Sequence, residues 1–174
     1  MGGISYNLEK LRAVVFDVDG VLSPSTIPMS ADGEPMRMMN IKDGYALQLA
    51  VKKGLIICII SGGKGDAIRR RYESLGIEFI YLGVSRKIQK LRTWMSQADM
   101  RADEVAYVGD DIPDIECLRE VGLSCCPADA ALEVKNICTY ISIKNGGYGC
   151  CRDIIEQIMK AKGKWMADDS AFGW

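Results

Sequence analysis

Apolar residues cluster in short unbroken runs, each closed by a glycine, a serine or an acid. Ala13-Val14-Val15-Phe16, Leu55 to Ile60, Phe79 to Leu82 and Val105 to Val108 are too short for helices and lack polar alternation. Such runs read as strands buried on both faces, as in a parallel sheet. Leu123 to Cys126 and Tyr140 to Ile143 are strand-like and of similar length. The intervening segments have helical spacing. Asp43 to Lys53 places Tyr45, Leu47, Leu49 and Ala50 on a helix and ends at Gly54, a stop signal. Gly65 to Leu75 is a basic helix closed by Gly76, and Ser85 to Gln97, Ile112 to Val121, Ala128 to Val134 and Cys151 to Ala161 follow. This alternation predicts an α/β fold, a doubly wound parallel sheet, in one domain over residues 1–174.

Two segments break the pattern. Ser23 to Asn40 contains Pro24, Pro28, Pro35 and the turn sequence Ala31-Asp32-Gly33-Glu34, and reads as a β-hairpin projecting from the end of the first strand. The polar tail from Gly163 to Trp174 is expected to be either disordered or docked on a neighbour.

Composition narrows the chemistry. A net charge of −1 gives no general pull toward nucleic acid, and no apolar run is long enough to span a membrane. Met1 to Lys10 lacks a signal-peptide pattern. The seven cysteines form no C-x-x-C pair and read as small hydrophobes in a reducing compartment, so a cytoplasmic location is expected. Histidine is absent, which excludes a Ser-His-Asp triad, a Cys-His pair and a mixed Cys/His zinc site. Catalysis is left to carboxylates, lysine, hydroxyls, thiols or a metal.

The strand ends supply such groups. The first strand runs into Asp17 and Asp19, the second into Ser61-Gly62-Gly63, and the strand at Val105 into Gly109-Asp110-Asp111 with Asp114 beyond; Lys87 follows the third. In a parallel sheet these ends share one edge, where ligands collect. Buried carboxylates there need a compensating cation, and an all-oxygen site suits magnesium. Acids, a hydroxyl with glycine amides and one lysine suit a phosphate ester bound to that metal.

Asp17-Val18-Asp19-Gly20-Val21, Ser61-Gly62, Lys87 and Gly109-Asp110-Asp111-Ile112-Pro113-Asp114 together resemble the motifs, in order, of the haloacid dehalogenase-like hydrolases. The resemblance implies a Rossmann-like fold, Asp17 as nucleophile forming an aspartyl-phosphate, and Asp19 as general acid and base. It implies magnesium held by Asp17, the Asp19 backbone carbonyl and Asp110, with Asp111 and Asp114 behind them. The 44 residues from Asp17 to Ser61 and the 23 from Lys87 to Asp110 leave no room for a cap domain.

Asp17 to Ser23, Asn40-Ile41-Lys42-Asp43-Gly44-Tyr45, Tyr107 to Asp111, and Gly146-Gly147-Tyr148-Gly149 with Arg152 look more narrowly like the capless 3-deoxy-D-manno-octulosonate 8-phosphate phosphatases. That likeness implies a homotetramer of lipopolysaccharide-sugar synthesis acting on a small phosphorylated sugar acid. It implies substrate contacts at Asp19, Asn40, Ile41, Lys42, Asp43, Gly44, Ser61, Gly62, Arg71 and Lys87. Gly63 stands where these enzymes often carry arginine and nine-carbon-sugar relatives glutamate, and Tyr148 where arginine is common. A phosphatase of a nine-carbon keto-sugar acid 9-phosphate and a non-catalytic assembly module are therefore the alternatives.

Overall fold

The computed structural model describes residues 3–173; Met1, Gly2 and Trp174, and with them the extreme ends of the expected domain and tail, lie outside the described residues. Six strands form the sheet: β1 (Ala13–Phe16), β2 (Ile56–Ile60), β3 (Phe79–Tyr81), β4 (Val105–Val108), β5 (Leu123–Cys126) and β6 (Tyr140–Ile141). Every neighbouring pair is parallel, in the order β3-β2-β1-β4-β5-β6. The chain leaves β1 toward one side of the sheet and later returns to β4 on its other flank. A crevice therefore opens between the carboxyl ends of β1 and β4, the place where such sheets bind ligands. Phe16 pairs with Ile59 of β2 and with Val108 of β4, so the three central strands end level.

Helices α1 (Ile41–Lys52), α2 (Asp66–Glu73), α3 (Lys87–Gln97), α4 (Ile115–Glu120), α5 (Leu132–Lys135) and α6 (Cys150–Ala161) cover both faces. Side chains alternate across a strand. Val14 and Phe16 thus pack with Leu47, Ile154 and Ile158, while Ala13 and Val15 pack with Leu91, Trp94 and Val134. Each such fully buried large side chain contributes about 2 kcal/mol. All seven cysteines are free thiols, and six of them are buried.

Several boundaries differ from the sequence reading. Helix α1 starts two residues early because the Asn40 side chain accepts the N–H groups of Lys42 and Asp43 at 2.9 and 3.3 Å, a cap that stabilises by about 1 kcal/mol. The single helix expected over 112–121 is a 3₁₀ turn at Ile112–Asp114, carrying Pro113 in its first turn, followed by α4. Ala128 to Ala130 are drawn into a loop, Ala128 donating to the Lys144 carbonyl and Gly146 to Asp129, so only α5 remains helical there.

The tail corrects its expectation: it docks on its own chain. Residues Asp169–Phe172 form a 3₁₀ turn beside α1, Tyr45 donates to the Ala171 carbonyl, Lys53 pairs with Asp168, and Ala171 is buried. The segment from 23 to 40 is a minimal antiparallel arm. One bridge joins Met29 to Pro35, framed by Ser30 N–H to the Glu34 carbonyl at 2.9 Å and Met36 N–H to the Pro28 carbonyl at 2.8 Å. The prolines keep it from growing into a longer ladder.

Candidate active site

The chain turns sharply after β1. Asp17 donates its N–H to the Val108 carbonyl at 3.0 Å, and the N–H groups of Val21, Leu22 and Ser23 all converge on the Val18 carbonyl. The turn requires glycine at Gly20, which has a φ of 88°, and a side chain there would collide with the Asp110 carboxylate. Gly146 and Gly147 serve this turn too. A Cβ at Gly146 would meet the Gly20 carbonyl, one at Gly147 would meet Pro24, and the Gly147 N–H donates to the Val21 carbonyl at 2.7 Å. The glycine-rich segment before α6 is thus packed onto the Asp17 to Ser23 turn.

A cavity of about 430 Å³ lies over these strand ends, lined by Asp17, Asp19, Ser61, Gly62, Lys87, Asp110, Asp111 and Asp114 together with Ser25, Gly63, Val84, Ser85 and Pro113. Its size suits a small organic ligand. Lys87 is buried at the foot of α3. Its ammonium lies 2.8 Å from Asp17 Oδ2 and 2.8 Å from Asp114 Oδ1, so it is not a solvated helix lysine. Burial alone would lower its pKa, but Asp114 and Asp17 outweigh burial and raise it. Asp114 is fully engaged: Oδ1 also takes a hydrogen bond from the Tyr107 hydroxyl at 2.7 Å, and Oδ2 accepts the Asp110 N–H at 3.2 Å.

Among the described residues, Asp17 Oδ1 is buried with no hydrogen-bond partner. Burial and the nearby Asp114 push its carboxyl up to about 6, against the pull of Lys87. Burial, Asp17 and Asp114 push Asp110 up to about 8. Oxygens of Asp17, Asp110 and Asp114 all lie within 4.8 Å of one another. One lysine does not neutralise three crowded acids, and an unsatisfied carboxylate oxygen among them fits a hard divalent cation. Because Asp114 already has partners on both oxygens, the residues that fit such an ion are Asp17 and Asp110.

Ser61 follows β2 and is buried. Its Oγ accepts the Gly63 N–H at 3.1 Å, leaving its hydroxyl hydrogen to donate toward the cavity. Asp19 meets Arg37, which donates Nε to Oδ1 at 2.6 Å and Nη2 to Oδ2 at 2.8 Å. Arg37 comes from the returning limb of the arm, beyond the bridge at Pro35, and has no motif to mark it; Met36 and Met38 flank it.

The other substrate contacts suggested by resemblance do not line this cavity. Asn40, Asp43, Gly44 and Arg71 line a second, much smaller crevice with Leu22, Met39 and Tyr72. Ile41 and Lys42 are exposed at the start of α1. Asn40 donates to the Gly147 carbonyl at 3.1 Å, and Asp43, buried and raised in pKa by that burial, accepts the Arg152 N–H at 2.7 Å. These two residues tie α1 to the glycine-rich segment and α6.

A family model described as haloacid dehalogenase-like hydrolase matches residues 77–150. The chain is 32% identical to 3-deoxy-D-manno-octulosonate 8-phosphate phosphatase of Haemophilus influenzae, covering 96% of this chain and 93% of that one. It is 34% identical to the Escherichia coli enzyme of the same name over 90% of this chain and 83% of the other. The solved structure of the Moraxella catarrhalis phosphatase, in complex with magnesium, phosphate and a KDO molecule, superposes with a TM-score of 0.90 at 29% identity, covering 96% of each chain. The chain belongs to the haloacid dehalogenase-like hydrolases.

Proposed function

We propose that this hydrolase is a magnesium-dependent phosphatase of 3-deoxy-D-manno-octulosonate 8-phosphate, releasing the free sugar acid and phosphate in lipopolysaccharide precursor synthesis. The observation that carries the reading is Asp17, with Oδ2 held by Lys87 and the buried Oδ1 unpartnered on the wall of a cavity lined by acids and a serine hydroxyl. Relatives bearing the name of this phosphatase match nearly the full chain.

The residues divide the work as follows. Lys87 keeps Asp17 oriented and ionised, so that its unpartnered oxygen attacks phosphorus in line with the leaving oxygen. Ser61 and the amide of Gly62 hold non-bridging phosphoryl oxygens. Asp19 gives a proton to the leaving sugar oxygen, then takes one from the water that hydrolyses the aspartyl-phosphate. Asp17, the Asp19 backbone carbonyl and Asp110 would hold magnesium, which would supply charge neutralisation between phosphate and acids. Asp114 and Tyr107 brace Lys87 from behind, and Asp111 lines the cavity mouth.

The absence of a cap between motifs fits a homotetramer that completes its site by assembly. The exposed Met29, Met36 and Met38 of the arm and Ile41 after it support that state, since so many exposed large apolar side chains in one segment favour burial; sedimentation velocity tests it. A cytoplasmic location is supported by seven free thiols, and no helix among the described residues is long and apolar enough to cross a membrane.

The test of function is phosphate release from the eight-carbon and nine-carbon keto-acid phosphates, with and without magnesium. The reading requires magnesium-dependent turnover with the higher kcat/KM on the eight-carbon ester. Preference for the nine-carbon ester would reassign the substrate, and no turnover of either would refute the assignment.

A further inference from the structure

Arg37 has no role in the scheme above, yet it holds the residue on which proton transfer depends. Its side chain is only 9% exposed, and its fork covers both oxygens of Asp19. Nη1 approaches the Lys64 carbonyl at 3.4 Å, so the guanidinium is wedged between Asp19 and the loop after β2. Glycine at position 63 makes the slot. A Cβ on Gly63 would stand 2.6 Å from Arg37 Nη2 and 3.0 Å from Asp19 Oδ2. Gly63 is not among the residues with positive φ, so space, not backbone conformation, calls for glycine here.

Two-point pairing has a chemical consequence. A guanidinium has five donors and no acceptor, and it does not lose its proton near neutrality. It therefore cannot relay a proton to or from Asp19. While both Asp19 oxygens face Arg37, the guanidinium occupies one lone pair on each and leaves the carboxyl as an acceptor only. Loosening the pair lets Asp19 take up a proton from solvent water, which it passes to the leaving sugar oxygen and regains from the attacking water. A substrate that carries its own carboxylate offers the guanidinium an equivalent partner with matching fork geometry.

We propose that Arg37 is the residue that recognises the substrate carboxylate and, by moving onto it, releases Asp19 for proton transfer. The inference rests on the reading of Asp19 as the general acid and base. Arg37 stays protonated throughout; only its hydrogen-bond partner changes. The arm thereby couples selection of an acidic sugar to activation of the acid that protonates the leaving group. Gly63 belongs to the same device, because it leaves room for the arginine of the arm.

The experiment compares the octulosonate 8-phosphate with a neutral aldose phosphate, which shares the alkoxide leaving group and lacks the carboxylate, on wild type, Arg37→Met, Arg37→Lys and Gly63→Ala. The ratio of the two kcat/KM values, acidic over neutral, is expected to fall about tenfold or more in Arg37→Met, the size of one lost charge-assisted pair. The loss should sit in KM for the acidic substrate. Arg37→Lys should recover part of the ratio, and Gly63→Ala should reproduce the Arg37→Met defect without adding to it in the double variant. Equal losses on both phosphates would reduce Arg37 to a structural brace, and an unchanged ratio would also overturn the proposal. A wild type that prefers the neutral phosphate refutes the substrate reading, and this proposal with it. A wild type that prefers the acidic one, beside an Arg37→Met variant that keeps the preference, refutes this proposal alone.

Discussion

Asp19 stands where two differently built regions meet. On one side are the ends of β1, β2 and β4, with Asp17, Ser61, Lys87 and Asp114 all buried and held by partners from different elements. On the other is the arm from 23 to 40, mostly exposed and closed by one bridge, which contributes a single well-buried charged side chain, Arg37. The sheet edge is fixed by packing on both faces, so its groups keep their geometry without a ligand. The arm has few contacts of its own, so the position of Arg37 depends on the ion pair it makes. Pre-organisation for a common chemical step therefore lies in the sheet, and response to a particular substrate lies in the arm.

The largest expected effect falls on the sheet side. Asp17→Asn removes the attacking oxygen while keeping the side-chain shape, and kcat for the octulosonate phosphate should drop on the order of 10⁴-fold or more, the scale seen when a nucleophile is lost. Steady-state phosphate release measures it. A drop of less than tenfold would mean that another group attacks phosphorus.

Lys87→Met tests the same region through stability. It leaves Asp17 and Asp114 facing each other without their shared cation, and urea unfolding of the metal-free protein should show a loss of about 3–5 kcal/mol. A loss below about 1 kcal/mol would show that the buried pair is compensated elsewhere.

The pH dependence has a definite sign. Asp17 and Asp110 are raised in the folded chain to about 6 and about 8 from an ordinary 3.8. Between those limits the folded state binds more protons than the unfolded one, so metal-free stability falls as pH rises from about 4 to about 8. Magnesium offsets the repulsion and should raise Tm by several degrees more at pH 8 than at pH 5. Thermal melts with magnesium or with chelator measure this, and an equal or inverted magnesium effect at the two pH values would contradict the placement of the ion between these acids.

The strands were legible because both faces are covered and the apolar runs are continuous. Asp17, Asp110 and Lys87 were legible because they lie at strand or helix ends, where local sequence fixes position. Asn40 and Asp43 stood out as a motif, yet within this chain Asn40 caps α1 and both residues tie it to the segment before α6. Arg37 was not legible, because its meeting with Asp19 depends on the path of a proline-rich arm and on a glycine whose significance is the absence of a side chain. The docking of the tail likewise rests on distant pairs, Tyr45 with Ala171 and Lys53 with Asp168.

The smallest expected effect on stability belongs to the arm. Deleting Ala31 to Glu34 should change unfolding free energy by less than about 1 kcal/mol, since the tip is exposed. It should still lower kcat/KM on the acidic phosphate severalfold or weaken assembly. A deletion that alters neither would separate the arm from both specificity and the oligomer.

The most direct test of the account is to stop turnover of the octulosonate phosphate with acid and locate the phosphoryl group by mass spectrometry of the digested protein. The account predicts phosphate on the peptide containing Asp17, dependent on magnesium and absent from Asp17→Asn. A phosphoryl group on any other residue, or full turnover by Asp17→Asn, would contradict it.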